Sequence, residues 1–253
     1  MFNTDNPITQ LKEDALGRSD FAKSLGEAIL QYTDKSSISV GLFGGWGSGK
    51  TSVINMALDH IHECSKQLDD DRKPMILKFN PWNYSDQDQL ILQFFIELSR
   101  ILKRKDYSRI LHNVGEKIIT YGDFLTVLPI VGKYLKIAKP VGSILKKLGE
   151  KNISSLKNDL NESLSKLKQK IIIVIDDIDR LADNEIRQIF QLIKSLCDLN
   201  NTIYLLSFDK QVVVGALSRI QEGKWRRIFR KSRASSLRIT SYIKETCGRI
   251  IIS

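Results

Sequence analysis

The sequence predicts an α/β protein, a mostly parallel sheet flanked by helices and organised around a phosphate-binding loop. Three observations carry that expectation. Gly44 to Thr51 fits the pattern G-x-x-x-x-G-K-[ST]. Ile38 to Phe43 before it reads as a buried strand, and Thr51 to His62 after it as a helix with Val53, Ile54, Ala57, Leu58 and Ile61 on one face. Far downstream, Ile171-Ile172-Ile173-Val174-Ile175 sets five β-branched residues in a row and ends in Asp176-Asp177, which reads as a fully buried strand with carboxylates at its C-terminal edge.

The loop, Gly44-Gly45-Trp46-Gly47-Ser48-Gly49-Lys50-Thr51-Ser52, is the candidate nucleotide-binding segment. A strand, a glycine-rich turn and a helix start aim backbone N–H groups and the positive end of the helix dipole at an anion. Gly44, Gly47 and Gly49 let the backbone bend where a Cβ would intrude. Lys50 supplies a point charge for the β- and γ-phosphates, and the Thr51 hydroxyl is the expected Mg²⁺ ligand. Asp176 is expected to hold Mg²⁺ with Thr51, and Asp177 to polarise an attacking water, so that Lys50 and Asp177 are the candidate catalytic residues. A bland alternative for Asp177 and Asp179 is capping of the next helix. Asp179 and Arg180 are expected to form a local pair or a subunit contact. Ser207 or Asp209, at the end of the following strand, is placed to sense the terminal phosphate or to orient water, or Asp209 to cap a helix.

Residues 8–33 form a leading helix with Ile8, Leu11, Leu16, Phe21, Leu25, Ile29 and Leu30 as its apolar positions, broken in two at Gly17. Residues 66–73 are a polar connector. Met75 to Phe79 is a second strand, ended by Pro81. Gln87 to Lys105 is an amphipathic helix carrying Leu90, Ile91, Phe94, Phe95, Leu98, Ile101 and Leu102. These make up the first part of the domain, 1–106.

Residues 107–168 are a helical insert between the two motifs. Its longest uncharged run, Phe124 to Gly132, is nine residues, against the roughly twenty that a spanning helix needs. Lys133, Lys136, Lys139, Lys146 and Lys147 recur too often for a bilayer core, so short amphipathic helices are expected, packed on the domain, on a partner or on a membrane surface. Residues 169–222 complete the domain with the strand before Asp176, a helix over 184–199, a strand over 202–207 and a helix over 210–220. Residues 223–253 are a basic tail.

Length and composition suit one large α/β domain or two small ones: 253 residues, 42% hydrophobic. Cys64, Cys197 and Cys247 lie far apart and have no metal or redox spacing, which fits a reduced cytosol. His60, His62 and His112 form no ligand cluster, and the first residues lack a signal-peptide pattern. The net charge of +10 is concentrated after Gly215, where ten Lys or Arg face two acids. The rest of the chain is therefore nearly neutral, and the basic pI argues only about the tail.

The residues also carry a resemblance. The phosphate loop with its internal Trp46, Phe79-Asn80-Pro81-Trp82, the strand ending Asp176-Asp177-Ile178-Asp179-Arg180, Ser207-Phe208-Asp209-Lys210, and the leading Glu13-Asp14-Ala15-Leu16-Gly17-Arg18 to Phe21-Ala22 resemble the KAP family of P-loop NTPases over about residues 5–222. The resemblance implies an ASCE-type parallel sheet with the 202–207 strand between the first strand and the 171–176 strand. It also implies ATP and Mg²⁺ as ligands, with Asp176 in the Walker B element. Some bacterial members resemble phage-exclusion proteins. The absence of an Asn-Lys-x-Asp signature favours adenine over guanine.

The expected activity is Mg²⁺-dependent ATP hydrolysis that drives or switches a conformational change. A nucleotide-switched scaffold with little turnover and a P-loop kinase are the alternatives. The expected location is the cytoplasm, with contact to the inner membrane face through 107–168 and self-association as further expectations. Lys224 to Arg233 departs from the family pattern. It reads as an arm for nucleic acid or anionic lipid, as a solvated helix, or as out-of-frame sequence closing a truncated core, and the last is the expectation adopted.

Overall fold

The computed structural model describes residues 6–84, 90–102, 113, 116, 153–196, 199–218 and 250–252. The sheet is built outward from its most apolar strand. β3 (Ile171–Ile175) is buried at every position, as five β-branched side chains on a pleated surface require when both faces are covered. β2 (Met75–Phe79) lies on one side, in register Phe79 to Ile175. On the other side lies β4 (Thr202–Phe208), with Ile175 opposite Leu206. β1 (Ile38–Phe43) pairs next with β4, Leu42 opposite Ser207. β5 (Ile250–Ile252), from the basic tail, forms a short edge strand against β1. All pairings are parallel and the order is β2-β3-β4-β1-β5. The 202–207 strand thus sits where the resemblance places it.

Alternation sorts the side chains to two faces. Ile38, Val40 and Leu42, with Ile172, Val174, Ile203 and Leu205, pack under α1 (Ser19–Leu30) and α2 (Lys50–Ser65). Leu77, Phe79, Ile173, Ile175, Tyr204, Leu206 and Phe208 face the other way. There they pack under α3 (Leu90–Leu102), α4 (Ile153–Ser165), α5 (Asp183–Leu196) and α6 (Lys210–Ser218). On α2 the expected face, Val53, Ile54, Ala57, Leu58 and Ile61, is buried; on α3 Leu90, Phe94, Phe95, Leu98 and Leu102 are buried, Ile101 is partly buried against the same core, and the side chain of Ile91 lies outside the description.

The leading segment breaks where glycine was expected to break it. A 3₁₀ turn over Leu11–Glu13 and helix α1 flank Gly17, which has φ +69°, so the half before Gly17 is a turn and not the expected helix, and of the expected apolar positions Leu16 and Phe21 are exposed. Element ends shift by a few residues. Helix α2 begins at Lys50 and runs to Ser65, α5 begins at Asp183, and Phe208 belongs to β4. The centre of the 107–168 insert and residues 223–249 lie outside the described residues. No helix among the described residues is long and apolar enough to cross a membrane.

Because every strand runs the same way, the carboxyl ends of β1 to β4 meet at one edge. The residues that follow them there are Gly44, Asn80, Asp176 and Asp209. The backbone continues the ladder at that edge, Gly44 N–H donating to the Phe208 carbonyl at 3.4 Å and Asp176 N–H to the Phe79 carbonyl at 3.3 Å.

Candidate functional site

The loop leaves β1 at Gly44 and hands over to α2 at Gly49. Gly49 is the helix N-cap with φ +80°, and Gly47 has φ +73°, both in the left-handed region that glycine enters without penalty. Gly44 is needed for space, since a Cβ there would collide with the Ser48 hydroxyl. A Cβ on Gly49 would strike the Arg18 guanidinium, which donates to the Ser48 carbonyl. Lys50 curls over the loop, its Nζ donating to the Gly44 and Gly45 carbonyls at 2.9 and 3.1 Å. Trp46 stands in solvent, 81% exposed, so what it offers the loop is backbone and not its ring.

Thr51 and Asp176 are brought together across 125 positions of sequence: Thr51 Oγ1 donates to Asp176 Oδ2 at 2.9 Å. The other oxygen of Asp176 accepts the Asp177 N–H at 2.9 Å. A hydroxyl and a carboxylate in contact at the start of a helix form an all-oxygen donor pair, the chemistry that suits Mg²⁺. The glycine cradle fits a polyphosphate in the same way.

Asp177 has the left-handed conformation, φ 58°, which costs a non-glycine residue on the order of 1 kcal/mol or more. That turn carries its carboxylate away from Asp176 to two other donors. Asn80 Nδ2 donates to Oδ2 at 2.9 Å, and Arg180 Nε lies 2.8 Å from Oδ1. Burial pushes the Asp177 carboxyl above its ordinary value and the Asp176 charge adds to this, while the Asn80 hydrogen bond and Arg180 work the other way. Arg180 therefore pairs with Asp177 and not, as expected, with Asp179, one of whose oxygens is buried without a partner.

Asn80 is the residue that reading the sequence missed as a site member. It is fixed by its own turn, accepting the Trp82 N–H at 3.0 Å, and by Phe79, which stacks on Tyr84 at 5.4 Å. The sequence marks it twice, by its place directly after a strand and within Phe79-Asn80-Pro81-Trp82, but neither signal gives it a site role until β2 is known to neighbour β3.

Of the two candidates after β4, Asp209 caps α6, accepting the N–H groups of Gln211 at 2.8 Å and Val212 at 3.4 Å. Ser207 is fully buried and its hydroxyl has no partner. By alternation it lies on the face of β4 that carries Ile203 and Leu205, the α2 side of the sheet. No group of three or more His, Cys, Asp or Glu able to hold a metal occurs among the described residues.

The chain is 24% identical over 238 residues to the phage T7 exclusion protein of Escherichia coli (strain K12), a match covering 84% of this chain and 31% of that protein. The chain thus spans about a third of that relative's length. The family described as KAP family P-loop domain matches residues 18–232, from Arg18 across both motifs and on past Lys224. The chain belongs to the KAP family of P-loop NTPase domains.

Proposed function

We propose that this chain binds ATP with Mg²⁺ at the Gly44–Ser52 loop and hydrolyses it, using the cycle to switch a conformation. The observation that carries the reading is the 2.9 Å contact between Thr51 and Asp176, which joins the phosphate loop to the acidic strand end. Lys50 holds a positive charge over the loop, and the N–H groups at the start of α2 receive the phosphate oxygens. Thr51 and Asp176 would hold Mg²⁺, which when bound neutralises phosphate charge and polarises the terminal phosphoryl group. Asp177 is the base for the attacking water, its raised pKa bringing it nearer the range where a carboxylate accepts a proton well. The unpartnered Ser207 hydroxyl is a candidate to orient that water or the terminal phosphate.

A second reading, a nucleotide-switched scaffold with little turnover, draws on one specific feature. Both oxygens of Asp177 are engaged, by Asn80 and Arg180, and a base so held must release a donor before it takes a proton. A role in phage exclusion is proposed by analogy with the relative's name alone.

Calorimetry with ATP, with and without Mg²⁺, tests the reading. Tight binding that Mg²⁺ strengthens is expected in the wild type. Lys50→Ala is expected to weaken it by about 1.5–3 kcal/mol, the worth of hydrogen bonds to a charged group. Unchanged affinity in that variant would remove the assignment.

A further inference from the structure

We infer that Arg18 is a positioning residue for the phosphate loop, holding the Ser48 carbonyl so that the Gly49 N–H points into the phosphate cradle. The inference rests on the nucleotide-binding reading above. The peptide between Ser48 and Gly49 is planar, so its C=O and N–H point in opposite directions. Anchoring the oxygen on one side of the loop therefore fixes where the hydrogen points on the other. Arg18 supplies that anchor by donating to the Ser48 oxygen. Its guanidinium lies where a Gly49 Cβ would be, so Gly49 is needed for this seat as well as for its φ of +80°. In a glycine-rich loop, with little side-chain packing to hold the peptide planes, one external donor can decide their orientation.

The anchor is itself fixed from below. Asp14 accepts the Leu16 N–H at 3.0 Å and the Ser19 N–H at 2.7 Å, closing the turn that presents Arg18. Gly17 supplies the turn's left-handed residue, and the Ala22 N–H donates to the Arg18 carbonyl at 3.0 Å as α1 begins. The whole leading segment is tied to α2, the helix that grows out of the loop. Leu11 N–H donates to Asp59 at 3.1 Å and Asn55 donates to the Ile8 carbonyl at 3.0 Å. α1 approaches α2 so closely that a Cβ on Gly26 would lie 3.0 Å from the Ala57 carbonyl. The backbone that carries Arg18 and the loop are thus held to one frame, which keeps the guanidinium within reach of the Ser48 carbonyl.

Inorganic pyrophosphate is the direct probe, because it fills the cradle without a nucleoside. Affinities for pyrophosphate and for ADP are measured by calorimetry on the full chain and on Arg18→Ala, Arg18→Gln and Arg18→Lys, alongside melting without ligand. Arg18→Ala should lose at least about tenfold for both ligands, the worth of one hydrogen bond to a charged group. Arg18→Lys, which keeps a cationic donor, should recover most of that. In the pyrophosphate complex the Gly49 amide proton resonance should move upfield in Arg18→Ala, as expected of a lost hydrogen bond to phosphate. Weakened ADP binding with unchanged pyrophosphate binding would mean that Arg18 serves the nucleoside, and would overturn the inference. So would a lowered melting temperature with both affinities intact, which is a structural role only. A wild type that binds neither ligand would overturn the nucleotide reading and this inference together, whereas a wild type that binds while Arg18→Ala binds equally well overturns this inference alone.

Discussion

Asp176 and Asp177 are adjacent, chemically identical and differently employed. Asp176 stays with the strand and meets Thr51, whereas Asp177 turns through φ 58° to Asn80 and Arg180. Burial first, and then the neighbouring Asp176 charge, make Asp177 harder to ionise and hold it above its ordinary value. The acid limb of hydrolysis should therefore lie above the usual pKa of 3.8 for a free aspartate. Asp177→Asn should slow turnover by roughly 10²–10⁴ while leaving the affinity for Mg²⁺–ATP, whereas Asp176→Asn should damage that affinity. Stopped assays over a pH series and calorimetry on both variants check this, and reversed roles would sink it. The stability consequence has the opposite sense from that of a salt-bridged aspartate. A carboxyl whose folded pKa is raised favours folding in its protonated form. That contribution is complete below the unfolded pKa and is lost as pH rises through the folded value. The melting temperature of Asp177→Asn relative to wild type should therefore climb as pH rises through that window.

At the level of elements, β3 was legible because five β-branched residues admit little else, and α2 and α3 because their apolar positions keep a helical period. The phosphate loop was legible because the phosphate chemistry dictates its residue types. Asn80 was not, since a side chain that crosses between strands is invisible until strand order is fixed. The partner of Arg180 was misread for a related reason. A 3₁₀ turn over Ile178–Arg180 eclipses positions three apart, which sets Arg180 against Asp177. Phe79 joins these levels, fully buried, stacked on Tyr84 and edge-on to Phe94 at 5.3 Å. Phe79→Ala should cost about 3–5 kcal/mol in denaturant unfolding, the usual range for a core aromatic. A loss under 1 kcal/mol would show that the β2 end is not anchored as described.

Over the whole molecule, the surplus charge and the sheet edge meet in the tail. Ten Lys or Arg lie after Gly215, yet three residues of that stretch, Ile250–Ile252, pair with β1, the strand that delivers the phosphate loop. A chain ended after Gln221 should keep ATP affinity within a few-fold, because no loop or acidic-strand residue is removed. It should also melt lower and self-associate more, because the β1 edge is bared. Melting curves, light scattering and calorimetry on the shortened chain check the three parts separately. Loss of ATP binding in a folded, monomeric product would show that the tail belongs to the site.

Trp46, 81% exposed within the loop, and Trp82, 48% exposed two residues past Asn80, give the protein an optical handle. They are two of three tryptophans in the chain. An indole in water emits to the red and is readily quenched, so arrival of a polyphosphate at the loop should change its intensity without any label. Stopped-flow emission from Trp82→Phe would then time ligand capture at the loop, and that from Trp46→Phe would time events at the β2 turn.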